Sequence, residues 1–146
     1  MNEIKFRAWD KDYKYMNHKV MIGNVWDEDN YHAHMIWIDA KDVDYERESG
    51  WMNFDEHSNI ELMQYTGLKD KDGADIYEGD ILKVFVLDSK GPHAKVKLKN
   101  GIFGIEDDMF GYGFYKGHYS LHQILSRYDA EVIGNIYENP ELMEDK

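Results

Sequence analysis

The stretch Ala94–Glu106, AKVKLKNGIFGIE, leaves the chain little choice of local structure. Val96 and Leu98 alternate with Lys95, Lys97 and Lys99, the period of a strand with one apolar face. Asn100-Gly101 follows, and both residues tolerate the positive φ that a two-residue type I′ turn demands. Ile102, Phe103 and Ile105 then supply the returning strand. A hairpin at this point commits the chain to antiparallel sheet.

The turns upstream point the same way. Ile60, Leu62 and Gln64 alternate with Glu61, Met63 and Tyr65 in a strand that leads into Thr66-Gly67. Lys69–Gly73 is a polar turn, Glu78-Gly79-Asp80 a second one, and Ile81–Leu87 the most β-like run of the sequence. Gly67, Gly73 and Gly79 supply freedom of φ in this reading. It makes Gly79 essential and leaves Asp70 and Asp72 replaceable by Ala with little loss of stability. Ser120–Arg127 is a short helix, with Ser120 and Gln123 at capping-box spacing, Leu121, Ile124 and Leu125 on one face and Arg127 in the last turn. Glu131–Tyr137 is a final strand, and Asn139-Pro140 has the order of a cap followed by the first helical residue. The expected fold is therefore α+β and predominantly β. It has a small, strongly bent or SH3-like barrel sheet, one short C-terminal helix and a variable N-terminal insert.

Near the N-terminus, Glu3–Trp9 alternates as a half-buried strand, with Ile4, Phe6 and Ala8 on one face and Arg7 expected at an edge. Asp10-Lys11-Asp12 is a turn, and Tyr13–Met16 begins the return. Residues 17–60 are the insert. Short strands are expected at Val20–Ile22, His34–Ile38 and Trp51–Phe54, with a turn at Asp27–Asn30 and a charged connection at Asp39–Gly50. Residues 62–137 form the β-rich core of one domain spanning 1–146.

Three segments carry a resemblance. Leu62–Gly73 with Ile76–Ile81, Ile4–Asp10 with Met16 after a polar gap, and Ile133–Leu142 together resemble the middle, beginning and end of the YopX family of phages and prophages. Residues 17–60 match that family poorly. The resemblance implies a phage or prophage gene product acting inside a bacterium, with no established activity and so no functional residue to carry over.

Composition narrows the function classes. With 29 acidic against 17 basic residues the net charge is −12, which works against non-specific nucleic-acid binding. Residues 61–100 are balanced, so the surplus acid lies towards the ends. An acidic decoy that occupies a DNA-binding surface on another protein is the sharper reading of that surplus, and a solvated acidic surface the plainer one. The absence of Cys excludes disulfides, thiolate nucleophiles and Cys-held metals, and fits a reducing compartment. The N-terminal residues lack the apolar core of a signal peptide, and no apolar run reaches the length of a membrane span. Together these predict a soluble intracellular protein with no membrane association, and the resemblance implies that its compartment is the cytoplasm of a bacterial host.

The candidate sites are few. Lys95, Lys97 and Lys99 share one strand face. With Phe110 and Tyr112 from the Gly- and aromatic-rich run 107–117 they compose a small platform for nucleic acid, or else the solvated outer face of a hairpin. His32 and His34 have the spacing to share a strand face, and His118 and His122 are four apart, yet neither pair has a third ligand at a recognised spacing. DKDGAD at 70–75 has the look of a calcium loop, but Ala74, Asp75 and Ile81 occupy its fifth, sixth and twelfth positions. No pair of carboxylates and no nucleophile motif is fixed by spacing. The expectation is a non-enzyme without metal or cofactor. It would self-associate and bind a host or phage protein. The alternative is a nucleic-acid-binding β-barrel module.

Overall fold

The computed structural model describes residues 3–26, 32–38, 49–54, 59–85, 93–107 and 117–144. The chain is α+β and predominantly β, as the alternation predicts, and divides into two compact units, 5–64 and 65–146, the latter including 1–4.

The first unit begins with β1 (Phe6–Asp10), which turns into β2 (Tyr15–Asn17) and pairs on its other side with the first half of β6 (Ile60–Lys69). Asp10 is 1% exposed, and its Oδ1 accepts from the backbone N–H groups of Asp12 and Tyr13 at 3.0 and 3.3 Å, which fixes the expected turn. Arg7 is not the edge residue that alternation alone suggests. Its strand runs between β2 and β6, and the side chain is 6% exposed with Nε 3.4 Å from Met63 Sδ. Ile4, expected on the buried face, precedes the strand and is 73% exposed.

The insert strands are longer than their apolar cores. They are β3 (Val20–Trp26), β4 (His32–Ile38) and β5 (Gly50–Phe54), an antiparallel sheet in that order. Val20 and Ile22 pack against the small core of Ala8 and Ile60, together with Tyr15 and Leu62. The turn expected at Asp27–Asn30 and most of the connection 39–50 lie outside the described residues.

The second unit holds the main core. Ile76, Leu82, Val84, Ala94, Val96, Ile105, Leu121, Ile124 and Ala130 form one buried cluster. Its sheet has the order β11 (Gly117–Ser120), β10 (Ile102–Asp107), β9 (His93–Lys99), β8 (Asp80–Phe85), β12 (Asp129–Asn135). The β9–β10 hairpin forms as predicted. Asn100 and Gly101 have φ of 52° and 78°, the two positive values of a type I′ turn, and Ile102 pairs with Lys99.

The second half of β6 pairs with β7 (Asp75–Tyr77). The strand does not stop at Thr66-Gly67. It passes through an irregularity there, with Gly67 at φ 82° and Thr66 Oγ1 accepting from Leu68 N and donating to the Ile76 carbonyl.

Helix α1 (Leu121–Arg127) follows β11 directly and buries Leu121 and Ile124 in the core. The expected capping box is absent: Ser120 makes no side-chain cap hydrogen bond, because it closes a strand rather than opening a loop. Pro140 does start a 3-10 turn, Pro140–Met143, but Asn139 does not cap it. Its Oδ1 accepts instead from the backbone of Asn135, back in β12.

Candidate functional site

The lysine strand can be followed residue by residue. Ala94 and Val96 point into the core, which leaves Lys95 half-buried, while Lys97 and Lys99 are exposed. The alternation fails at the hairpin end. Leu98, expected inward with Val96, is 37% exposed because the core ends before the strand does, whereas Ile102 is 50% exposed because it stands opposite Lys99, on the lysine face. Phe110 and Tyr112 lie outside the described residues, so the aromatic half of the platform is not placed. The side chains of His32, His34 and His118 also lie outside them, and His122 is exposed on α1.

The turn after β6 is a structural site that spacing did not reveal. Asp70 is 8% exposed. Its Oδ1 accepts from the backbone N–H of Asp72 and of Ala74, both at 2.9 Å, and its Oδ2 from Val132 N, also at 2.9 Å. The Lys71 N–H donates to the Ala130 carbonyl at 2.9 Å. The turn therefore lies along the edge of β12, in the place a further strand would take, and blunts that edge against pairing. It does so beside a bulge, where the β8–β12 register shifts between Val132 and Gly134. Burial is the largest influence on the Asp70 carboxyl and pushes its pKa up. The three backbone donors, with Lys71 adding a little, outweigh burial and leave the pKa below the usual carboxylate value.

The other acids of this loop are engaged as well. Asp75 Oδ1 meets Lys69 Nζ at 2.6 Å, and Asp72 is paired with Lys71, whose pKa rises chiefly through that hydrogen bond. The loop is thus a latch in which one carboxylate gathers backbone donors from two parts of the chain. Asp70 is its centre rather than a replaceable surface residue.

A second surface became visible only with the strand register. Met21, Trp37 and Trp51 are aligned across β3, β4 and β5 in one row. Met21 is 55% and Trp51 51% exposed. The Trp51 ring lies over Gly23, where an added Cβ would stand 3.6 Å from two ring carbons. The sequence signal was present as the alternation of Val20 and Ile22 with Met21 and Gly23. Which face turned outward depended on the core formed with Ala8 and Ile60.

Comparison with known proteins agrees with this architecture. The family described as YopX protein matches residues 5–144. Protein EF1440 from Enterococcus faecalis is similar in structure, with a TM-score of 0.63 and 30% identity, over 99% of this chain and 100% of that one. The yopX protein of Bacillus subtilis shares the fold at 19% identity and a TM-score of 0.58, over 100% of this chain and 99% of its own. Among curated proteins none matches. The match runs through the segments from which the resemblance was drawn and through 17–60 as well, and the chain belongs to the YopX family.

Proposed function

We propose that this protein is a non-enzymatic interaction module, an accessory protein of a phage or prophage that binds a host or phage protein inside the bacterial cell and self-associates. The observation that supports this reading is how the buried polar groups are used. Of the six buried polar residues described, five are Asp10, Asn17, Asp70, Asp80 and Asn135. Each spends a side-chain oxygen on a nearby backbone N–H: Asp10 on Asp12, Asn17 on Lys19, Asp70 on Asp72, Asp80 on Tyr77, Asn135 on Glu138. Carboxylates held in this way set turns and are poor candidates for a reacting proton. What the described surface offers besides is exposed apolar side chains, which suit binding. The phage context rests on family membership.

Affinity capture from host lysate with the full chain, alongside light scattering, tests the proposal. A discrete partner or a defined oligomer is expected, and a monomer that captures nothing overturns it. The exposure of Lys97 and Lys99 favours a second reading, in which this strand binds nucleic acid. A gel shift at low salt with no retardation of DNA or RNA removes it.

A further inference from the structure

We infer that the tip of the β9–β10 hairpin is a two-stranded ribbon that enters the major groove of double-stranded DNA. The inference rests on the second reading above and names the form of nucleic acid and the groups that meet it.

The sheet gives this hairpin neighbours only at its root. β8 accompanies β9 as far as Lys95, opposite Ile81, with one further bond from the Gly79 N–H to the Val96 carbonyl. β11 accompanies β10 back from Gly104, opposite Ser120. Past those points, among the described strands, β9 and β10 pair only with each other, up to the turn at Asn100-Gly101. The tip also stands clear of the core: Lys97, Leu98, Lys99, Asn100 and Ile102 are all exposed, and they lie on both faces of the ribbon. A strand rises about 3.4 Å per residue, so from Lys97 to the turn the ribbon extends roughly 10 Å beyond its neighbours.

The charge of this segment is the reverse of the chain's. Residues 93–105 hold Lys95, Lys97 and Lys99 and none of the 29 acids. The register places the three lysines on one face, in line with Ile102, while Leu98 and Phe103 lie on the other. The net charge of −12 opposes DNA over the protein as a whole. At the tip the opposition weakens. The screening length at physiological salt is about 8 Å, less than the length of the ribbon, so a phosphate at the turn feels Lys97 and Lys99 more strongly than charge on the sheet behind them. The same repulsion confines any DNA contact to the ribbon.

Shape selects the duplex. The major groove of B-DNA is about 12 Å wide and about 8.5 Å deep, and it admits a two-stranded antiparallel ribbon. Two strands about 4.8 Å apart span roughly that width with their side chains, and a projection of roughly 10 Å reaches the groove floor. In this pose Lys97 and Lys99 meet phosphates or the O6 and N7 of guanine, and Asn100 at the apex carries the amide that pairs with adenine N6 and N7. Leu98 offers an apolar contact to a thymine methyl. A single strand asks instead for a row of stacking aromatics, and the ribbon has one aromatic, Phe103, which is half-buried. An acidic protein segment would satisfy the lysines but uses neither the projection nor the exposed amide at its end.

The test uses the full chain and fluorescent DNA of about 20 base pairs, with binding read by anisotropy. The duplex is expected to bind roughly tenfold more tightly than a single strand of the same sequence. With two lysines on phosphates, the logarithm of the affinity should fall against the logarithm of salt with a slope of about −2. Lys97→Gln combined with Lys99→Gln should weaken binding roughly tenfold or more and flatten that slope, with the ¹⁵N spectrum unchanged outside the hairpin. Asn100→Gly keeps the turn, because Gly also accepts a positive φ, and should weaken duplex binding severalfold. A single strand that binds as tightly as the duplex, or variants of the lysines or of Asn100 that bind duplex like wild type, would overturn the ribbon and leave the nucleic-acid reading standing. Displacement of the DNA by an equal charge of polyglutamate would mark a site for acidic protein and overturn it as well. If neither duplex nor single strand binds, the ribbon and the nucleic-acid reading fall together.

Discussion

Asp70 joins two parts of the chain separated by 62 residues, through a single carboxylate. Removing it leaves the N–H groups of Asp72, Ala74 and Val132 without their acceptor. Hydrogen bonds to an ionised acceptor contribute about 1.5–3 kcal/mol each and are not additive, so Asp70→Ala is expected to cost roughly 2–4 kcal/mol. Asp72→Ala, which loses only an exposed pair with Lys71, should cost less than about 0.5 kcal/mol. Urea denaturation of the two variants checks this, and equal midpoints would show that the latch contributes nothing. The pH dependence has a definite sign. The folded pKa of Asp70 is lowered, so its contribution is fully present above the unfolded value near 3.8 and is lost as pH falls through the folded one. Asp70→Asn cannot titrate, and its stability deficit relative to wild type should therefore narrow as the pH falls below about 4. A gap that widens in acid would contradict the assigned ionisation.

At the scale of elements, the turn Glu78-Gly79-Asp80 is where β7, β8, β9 and the end of β12 meet. Gly79 has φ 83°, donates its N–H to the Val96 carbonyl at 2.9 Å and accepts from Ile136 N at 2.9 Å. A β-branched residue in the left-handed region strains this junction, and Gly79→Val is expected to cost about 2–4 kcal/mol. Gly73 has a similar φ of 86° but open space around it, so Gly73→Ala should cost only about 1 kcal/mol. Melting curves that place the two variants together would refute the distinction. Gly134 is special for another reason: a Cβ there would lie 2.5–2.9 Å from Asn139 side-chain atoms, so Gly134→Ala should destabilise the chain by about 1–3 kcal/mol and disturb the Asn139–Asn135 contact. Local chemistry decided how much of this was legible. The hairpin could be read because Asn100-Gly101 needs only its own neighbours. Helix α1 could be read from the spacing of Leu121, Ile124 and Leu125, but not its cap, because the capping box assumes a loop where β11 runs straight into the helix. The Asp70 latch could not be read at all, since its distant donor, the Val132 N–H, lies 62 residues away and comes within reach only in the folded chain. The candidate surface on β3–β5 was hidden for a related reason. Alternation shows that a strand has two faces, and only the packing partner shows which of them is buried.

At the scale of the molecule, charge is the property that most separates this chain from an average domain. The ion pairs described are exposed ones, such as Lys11 with Glu61 at 2.7 Å and Lys69 with Asp75 at 2.6 Å. Such pairs contribute at most about 1 kcal/mol each and weaken in salt. Twelve uncompensated negative charges act against them. Self-repulsion disfavours the compact state, and added salt screens it over distances longer than a single pair. The buried carboxylates do not change the balance, because Asp10, Asp70 and Asp80 are held by backbone donors, which salt screens far less. Repulsion should therefore win, and the melting temperature should rise by a few degrees between about 10 mM and about 300 mM sodium chloride. A melting temperature that falls with salt would mean that the surface pairs outweigh the repulsion, and that the acids are already matched within the fold rather than left for a partner.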